Sequence, residues 1–229
     1  MIEFDQVTMR FGELTVLSRI SLSIPERRVA VVGANGSGKS TFARLPNGLI
    51  APTEGHVRID GLDTAADARA VRRKVGFVFQ NPDNQIVYPL VEEDIAFGLK
   101  NLKLPKAEVK ARVDAVLARY GMEALRQRPA HLLSGGQKQM LAISAVLVME
   151  PAYVVFDEPT TLLDLRNKRR VSRAIAEMPQ TAVVVSHDLE FLEDFERVLV
   201  FEGGGIVCDA PPARALPFYR ELMAAAPDV

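Results

Sequence analysis

The sequence of 229 residues lacks several features that would point to whole classes of protein. It has a single cysteine, Cys208, so no disulfide can form within the chain, and we expect a reducing compartment. The formal net charge is −1, which predicts no broad attraction to nucleic acid or anionic lipid. The longest apolar run, Met140 to Met149, is far too short for a membrane span, and Glu3, Asp5 and Arg10 are untypical of a signal peptide. Any role at a membrane is therefore expected to depend on a partner.

A glycine-rich stretch, Gly33 to Thr41, carries the strongest signal in the chain. It matches the phosphate-binding pattern G-x-x-x-x-G-K-[ST], with the apolar run 29–32 before it and a helix-compatible segment after it. Its glycines allow backbone angles that turn successive N–H groups inward around a phosphate. Lys39 would add a positive charge for the β- and γ-phosphates, and the Ser40 hydroxyl would ligate Mg²⁺. The other residues that we expect to bind the nucleotide here are Gly33, Asn35, Gly36, Ser37, Gly38 and Thr41.

The order of apolar segments predicts an α/β fold. Hydrophobic residues make up 48% and charged residues 25%, which is typical of one globular unit with a sizeable core. Four apolar strands end at polar or glycine positions and alternate with helices, which predicts a parallel, doubly wound sheet. The ends are Gly33, Gln80, Asp157 and His187. Because ligands of such sheets bind beyond the carboxyl ends of the strands, we expect these four positions to meet near the phosphate.

Other segments are assigned from periodicity and from turn residues. Strands are predicted at 2–10, 17–24, 57–60, 75–79, 153–156, 181–185, 197–201 and 206–208, the first two forming an antiparallel sheet and the last two a hairpin. Helices are predicted at 39–45, where Pro46 ends the helix, and at 67–74, 91–99, 137–149, 165–178 and 212–226. A further helix begins near Pro105 and closes at Gly121. The stretch 81–128 has no strong strand signal after Val87, which predicts a helical insert of about 50 residues.

The polar strand ends can be given chemical roles. Asp157 follows four apolar residues and is placed to hold Mg²⁺, and Glu158 could accept a proton from an attacking water or orient it. One of these carboxylates could instead only cap the following turn. Gln80 can reach the metal or the water, and His187 can donate to the γ-phosphate or be merely structural. Consecutive residues point apart, so Ser186-His187-Asp188 does not form a hydrolase triad.

Residues Leu133 to Gln137, with the sequence LSGGQ, predict a second anion-binding helix start. The glycine-rich loop already serves the phosphates within the chain. A second phosphate site therefore suggests that each ATP is clamped between the loop of one copy and Ser134 and Gly136 of another. Phe11, at the tip of the first strand, could stack on an adenine or be an ordinary core or edge residue.

The chain resembles the ATP-binding cassette (ABC) ATPases over nearly its whole length. The resemblance rests on the order of its motifs: the glycine-rich loop, Gln80, LSGGQ, the Asp157-Glu158 pair and His187. The resemblance implies one nucleotide-binding domain over 1–229. Its fold would be the P-loop NTPase fold, with a parallel-sheet core, an N-terminal antiparallel β subdomain and a helical signalling subdomain inserted at about 81–135. It also implies a head-to-tail dimer with two ATPs at the interface and coupling to a membrane transporter.

The resemblance implies roles for individual residues as well. Phe11 would stack on adenine, Gln80 would couple hydrolysis to transport, and Glu158 would be the catalytic carboxylate. Asp164 would lie in the loop that crosses the dimer interface, and His187 would be the switch histidine. Ser134, Gly135, Gly136 and Gln137 would bind the ATP of the opposite copy, and Ser40, Gln80 and Asp157 would serve Mg²⁺.

Two further stretches, Phe79 to Val87 and Val91 to Gly98, are similar to the ATPases of energy-coupling factor (ECF) transporters, which import vitamins and Co²⁺ or Ni²⁺. Among these, the ATPases of biotin transporters are the most similar, because they also have a short C-terminus and are expected to form dimers of a single type of ATPase. The implied partners are a membrane coupling (T-type) protein and a small substrate-binding membrane protein, with either a homodimer or a pair with a sister ATPase. No nucleic acid is implied, and the expected location is peripheral, on the cytoplasmic face of the cell membrane.

Three other functions remain open at this point: the ATPase of a conventional ABC importer, a soluble ABC protein of DNA repair or translation, and a non-catalytic nucleotide-binding regulator. The single cassette, the lack of heptads and the lack of net positive charge disfavour the second. Lys39, Asp157 and Glu158 disfavour the third. Three residues depart from the family pattern without removing a catalytic group. Leu162 stands where Gly or Ala is common and is expected to stiffen its loop, Met140 replaces a frequent Arg, and Pro46 replaces a frequent Leu.

Overall fold

The computed structural model describes residues 1–225, and these residues form an α/β fold. Their strands are β1 (Ile2–Phe11), β2 (Leu14–Ile24), β3 (Arg28–Gly33), β4 (Glu54–Ile59), β5 (Leu62–Asp63), β6 (Val75–Val78), β7 (Tyr153–Asp157), β8 (Thr181–Val185), β9 (Arg197–Glu202) and β10 (Gly205–Ala210). Their α-helices are α1 (Lys39–Arg44), α2 (Ala68–Lys74), α3 (Val91–Leu99), α4 (Lys106–Arg119), α5 (Gly135–Leu147), α6 (Leu165–Glu177), α7 (Leu189–Leu192) and α8 (Pro212–Ala225).

Most predicted elements are present, with differences at their ends. The helix α3 and the strand β8 have the predicted bounds, and α1 ends before Pro46 as expected. The helix α5 begins at Gly135 rather than at 137, and β4 begins at Glu54 rather than at 57, so both predicted starts were wrong. The short elements β5 and α7 were not predicted. Ala226, the predicted end of the last helix, lies outside the described residues.

The chain divides into two compact units, of which the first comprises 1–77, 153–158 and the described residues from 180 onward. One of its sheets is four-stranded, in the order β2-β1-β4-β5. Its β1–β2 pair is antiparallel, from Ile2 opposite Ile24 to Phe11 opposite Leu14. The prediction of an N-terminal antiparallel sheet is therefore confirmed.

The second sheet has six strands, in the order β10-β9-β3-β8-β7-β6. The strands β9, β3, β8 and β7 run parallel to one another, and β10 returns antiparallel to β9 across a turn at Gly203 and Gly204. The predicted parallel core and C-terminal hairpin are thus confirmed. The glycine-rich loop follows β3, and the strands β8 and β7 lie beside it in the sheet, which brings their carboxyl ends to one edge.

Three aromatic rings fix the helix that follows the glycine-rich loop. Phe42 on α1 is fully buried and stacks on Phe4 of β1, with ring centroids 4.5 Å apart. On the other side it meets Phe201 of β9 at 5.0 Å. Since both partners lie on sheets, this packing holds α1 in a fixed position against them. The loop between β3 and α1 is consequently anchored at both ends.

The second unit comprises 78–152 and 159–179, and its regular elements are mainly helical. The side chain of Gln85 accepts a hydrogen bond from the Phe79 amide and donates one to the Ala142 carbonyl on α5. The buried carboxylate of Asp94 accepts from the Val87 and Tyr88 amides. These bonds fix the segment that precedes α3. The predicted helical subdomain, 81–135, lies within this wider unit, and its role in signalling stays a prediction.

No helix among residues 1–225 is both long enough and apolar enough to cross a membrane.

Candidate active site

The glycine-rich loop has a backbone that only glycine tolerates at two of its positions. A Cβ on Gly33 would lie 2.3 Å from the Phe201 carbonyl oxygen on β9, which is an impossible contact. Gly38, with φ of +100°, caps α1, and a Cβ there would lie 2.7 Å from a methyl carbon of Leu17. Both glycines are therefore required for the loop to turn tightly between strand and helix.

Lys39 is folded back onto the loop. Its ammonium donates to the carbonyls of Gly33, at 2.8 Å, and Ala34, at 2.7 Å, and the residue is only 6% exposed. Burial lowers the pKa of Lys39, while the nearby negative charges of Glu158 and Asp157 oppose this shift. The lysine thus provides a positive charge within an acidic group of side chains.

The loop fits a phosphate group. The Ser37 hydroxyl is buried and has no hydrogen-bond partner among the residues that the structure describes. Open space lies where a Cβ of Gly36, with φ of +79°, would point. A buried hydroxyl without a partner is costly, and a phosphate oxygen would satisfy it. The donors of this loop and the Lys39 charge suit the phosphates of a nucleotide.

Ser40 and Asp157 meet beside this loop as predicted. The Ser40 hydroxyl donates to the Asp157 carboxylate over 3.0 Å, and Asp157 is buried at the end of β7. A guanidinium nitrogen of Arg44 lies 4.0 Å from the other carboxylate oxygen. A hydroxyl and a carboxylate are oxygen donors that suit Mg²⁺. Within 1–225 no group of three or more His, Cys, Asp or Glu residues could hold a metal ion.

Glu158 lies against His187. A carboxylate oxygen of Glu158 lies 3.2 Å from Nε2 of His187, and the His187 amide donates to the other oxygen at 3.4 Å. Glu158 is 8% exposed, whereas the His187 side chain is 45% exposed. The hydrogen-bonding neighbours of the two adjacent carboxylates thus include Ser40 for Asp157 and His187 for Glu158.

Two predicted site residues lie at exposed positions. Phe11 is 53% exposed at the end of β1, where it forms the last pair of the β1–β2 hairpin with Leu14. It is therefore not a core residue, and its ring is free to stack on a flat ligand. Gln80 is exposed and belongs to the second unit. Its reach to the metal or to the attacking water stays a prediction.

The LSGGQ stretch forms a capped helix start in the second unit. Gln137 donates its amide to the Ser134 hydroxyl, and the Gln137 side chain accepts from the Ser134 amide, a reciprocal capping box. These bonds explain why α5 begins at Gly135. Ser134 and Gly135 are exposed, whereas Gly136 is buried. Binding of an anion by Ser134, Gly135, Gly136 and Gln137 stays a prediction.

Asn167 joins the predicted interface loop to the LSGGQ helix, and sequence reasoning missed it. Asp164 caps α6 by accepting from the Asn167 amide at 2.8 Å and from its side chain at 3.0 Å. The Asn167 side chain fills the space beside Gly136, where a Cβ would come within 2.2 Å of it. The spacing of an Asp and an Asn three residues on is typical of a capped helix start and could have identified the pair.

Two of the three departures from the family pattern have local explanations. Met140 is buried on α5, where a charged side chain would need a partner. Pro46 lies just beyond the end of α1, where it breaks no helix hydrogen bond. Leu162 is 99% exposed with φ of +62°, a conformation that glycine adopts without strain. Any stiffening of the loop by Leu162 would therefore come from its backbone and not from packing of its side chain.

Comparison with known proteins identifies the family. Residues 17–161 match the model of the ABC transporter family. A putative ABC transporter ATP-binding protein of Deinococcus radiodurans is 67% identical over 223 residues, which cover 97% of this chain and 99% of the relative. The biotin transport ATP-binding protein BioM of Rhizobium etli is 51% identical with the same coverage. The energy-coupling factor transporter ATP-binding protein EcfA of Syntrophomonas wolfei is 41% identical over 234 residues, with 98% of this chain and 85% of the relative covered.

Solved structures agree with this assignment. The CbiO1 subunit of Clostridium perfringens, part of the CbiONQ transporter complex, superposes with a TM-score of 0.85 at 30% identity and covers 99% of this chain and 95% of its own. A dimeric ATP-binding cassette in a post-hydrolysis state, bound to ADP and phosphate, superposes with a TM-score of 0.81 at 30% identity, over 93% of this chain and 99% of its own. The predicted resemblance to ABC and ECF-type ATPases is confirmed. The chain belongs to the ABC transporter family, as an ATP-binding subunit with the ATPase activity that accompanies this domain.

Proposed function

We propose that this chain hydrolyses ATP to energise import by an ECF-type transporter, with biotin as the favoured cargo and Co²⁺ or Ni²⁺ as alternatives. The observation that carries the hydrolytic part is the cluster of Lys39, Ser40, Asp157, Glu158 and His187 around the ends of neighbouring strands. Full-length similarity to BioM and EcfA supports the transporter type and the cargo.

The residues divide the work of hydrolysis as follows. The loop amides and Lys39 bind the β- and γ-phosphates, and Phe11 stacks on the adenine. Ser40, Asp157 and Gln80 would hold Mg²⁺, and the ion would supply positive charge that neutralises the phosphates. Glu158 takes a proton from the attacking water. The water oxygen bonds to the γ-phosphorus while the bond between the γ-phosphorus and the bridging oxygen breaks, and ADP leaves. His187 holds the Glu158 carboxylate in place and donates to the γ-phosphate.

The ATP site is completed by a second ATPase subunit. The LSGGQ stretch and the loop of Asp164 would face the nucleotide held by the other copy. The residues of the stretch that would do so are the exposed Ser134 and Gly135, with Gly136 and Gln137. A homodimer is the simplest assembly, because one chain carries both kinds of motif, and pairing with a sister ATPase is the alternative. The dimeric cassette with bound ADP and phosphate supports this arrangement.

The dimer would act at the cytoplasmic face of the cell membrane as a peripheral component. Its partners would be a membrane coupling protein and a small substrate-binding membrane protein, which selects the cargo. The near-neutral charge of the chain argues against nucleic acid as a partner.

The decisive experiment isolates the tagged chain from its source membranes in mild detergent and identifies the proteins that accompany it. The complex is then placed in vesicles, and ATP-dependent uptake of biotin, Co²⁺ and Ni²⁺ is measured separately. We expect one coupling protein, one small multi-helix binder and uptake of biotin. The Lys39→Ala complex serves as the control for dependence on ATP.

A pair of large permeases with an extracytoplasmic binding protein would instead identify a conventional importer and overturn the ECF assignment. Uptake of a metal ion without biotin would keep the transporter type and replace the cargo. Full uptake by the Lys39→Ala complex would contradict the role given to the nucleotide site.

A further inference from the structure

The carbonyl of Gly33 accepts hydrogen bonds from two side chains, one nearby in the chain and one distant. One comes from the ammonium of Lys39 at 2.8 Å, and the other from the hydroxyl of Tyr219, on the C-terminal helix α8, at 3.2 Å. Both bonds are buried, and Tyr219 is 7% exposed. The C-terminal helix is thus bonded to the residue that opens the phosphate-binding loop.

The chemistry of this arrangement changes when a nucleotide binds. An ammonium has three donors, and Lys39 uses two of them on the Gly33 and Ala34 carbonyls. A lysine that bridges a β- and a γ-phosphate spends two donors there, so it can keep at most one of its carbonyls. The part-buried Ala34 carbonyl also accepts from the Ser37 amide at 3.2 Å, whereas the other donor to the buried Gly33 carbonyl is Tyr219. Releasing Gly33 without a replacement would leave a buried acceptor without a donor, which is costly.

We propose that Tyr219 is a positioning residue for ATP binding, which keeps the Gly33 carbonyl hydrogen-bonded while Lys39 transfers donors to the phosphates. This inference rests on the proposed nucleotide-binding function. Tyr219 remains a neutral donor across the working range of pH, because burial and then the charge of Glu158 raise the pKa of its hydroxyl. In the nucleotide-free protein the hydroxyl is partly redundant, since Lys39 already occupies the same carbonyl. Its contribution is expected to be largest in the ATP-bound protein.

The test compares Tyr219→Phe with Tyr153→Phe. Both substitutions remove one hydroxyl and keep the ring. Tyr153 lies in the same unit as Tyr219, and its hydroxyl donates to Asp60 at 2.6 Å. Neither Tyr153 nor Asp60 belongs to the glycine-rich loop. The dissociation constant for a non-hydrolysable ATP analogue with Mg²⁺ is measured by calorimetry for the wild type and both variants. The free energy of unfolding in urea is measured without and with the analogue, and KM and kcat are measured with ATP.

We expect Tyr219→Phe to weaken binding of the analogue about tenfold, which is the usual effect of leaving one buried acceptor without its donor. KM for ATP should rise by the same factor while kcat stays within about twofold, because binding is lost equally in the ground and transition states. Tyr153→Phe should leave the dissociation constant unchanged. Without nucleotide, Tyr219→Phe should destabilise the fold no more than Tyr153→Phe does.

Unchanged affinity in Tyr219→Phe would overturn the inference while leaving the proposed function intact. An equal loss of affinity in both variants, or a loss of stability in Tyr219→Phe that is the same with and without the analogue, would reduce Tyr219 to a structural residue. If the wild type itself fails to bind the analogue, it is the proposed function that fails.

Discussion

Glu158 has a backbone conformation that is uncommon for a residue with a side chain. Its φ is +53°, in the left-handed region, directly after the end of β7. Its amide still donates to the Val185 carbonyl of the neighbouring strand at 2.9 Å, so the turn is held by the sheet. Such conformations cost about 1–3 kcal/mol and concentrate at functional sites. Here the turn accompanies the separation of the two carboxylates, Asp157 toward Ser40 and Glu158 toward His187.

The replacement Glu158→Gln tests the role of this carboxylate. The amide has the same shape and can still accept from the His187 backbone, but it cannot take a proton from water. We therefore expect ATP to bind normally and hydrolysis to slow by roughly 10²–10⁴-fold, the usual range for loss of a general base. Binding of ATP and release of phosphate in a single turnover are the measurements.

The matched control for this replacement is Glu190→Gln, which makes the same chemical change at an exposed position on α7. Its turnover should equal that of the wild type. Wild-type turnover in Glu158→Gln would contradict the general-base assignment and leave water activation to another group.

At the scale of elements, the start of α5 depends on close packing against the start of α6. Gly136 leaves space that the Asn167 side chain fills, and Asp164 orients that side chain. The neighbouring Gly135 has no atom within 4 Å of where its Cβ would be. Packing therefore requires glycine at position 136 but not at position 135.

Gly136→Ala should lower the free energy of unfolding by about 2 kcal/mol, because the added methyl group collides with Asn167. Gly135→Ala should instead raise it by up to about 1 kcal/mol, since alanine favours the helix and meets nothing. Urea unfolding of the two variants measures the difference. The double variant Gly136→Ala with Asn167→Ala should recover most of the lost free energy of unfolding. An equal loss in Gly135→Ala, Gly136→Ala and the double variant would exclude the collision as its cause.

The ends of elements show where sequence patterns stop being informative. The apolar run at β8 and the amphipathic segment at α3 were predicted to the residue, because burial alone determines them. The start of β4 is polar and exposed, and only its pairing with β1, Thr8 opposite Glu54, makes it a strand. Such pairing is a property of the assembled sheet and leaves no trace in local periodicity.

The site shows the same division between local and long-range information. Lys39, Ser40, Asp157 and Glu158 stand in short motifs whose chemistry can be inferred from their neighbours along the chain. Tyr219 reaches the Gly33 carbonyl from the last helix, and no local pattern connects residues so far apart in the sequence. The capping box of Ser134 and Gln137 belongs to the local kind, because it fits the known spacing of a serine followed three residues later by glutamine.

At the scale of the whole molecule, the motifs assigned to ATP are divided between the two units. The first contains the glycine-rich loop, Asp157, Glu158 and His187, and the second contains Gln80, the LSGGQ helix start and Asp164. Each unit has its own hydrogen-bonding network around its part. If the LSGGQ stretch of one copy serves the loop of the other, a defect in either part can be supplied by a second chain.

Mixing two inactive variants tests this exchange. Lys39→Ala disables the loop and leaves the LSGGQ stretch intact. Ser134→Asp disables the LSGGQ stretch by placing a negative charge toward the phosphate, yet aspartate caps a helix as well as serine does, so α5 should remain folded. Ser134→Asn keeps the cap without the charge and is the control for the fold.

We expect each inactive variant alone to show background hydrolysis of ATP. An equal mixture should recover about a quarter of wild-type activity, because half of the dimers are mixed and each mixed dimer has one intact site of two. Sedimentation of the mixture verifies that dimers form. Background activity in a mixture that does dimerise would show that loop and LSGGQ stretch act within one chain, because only sites built from two copies can be restored by mixing.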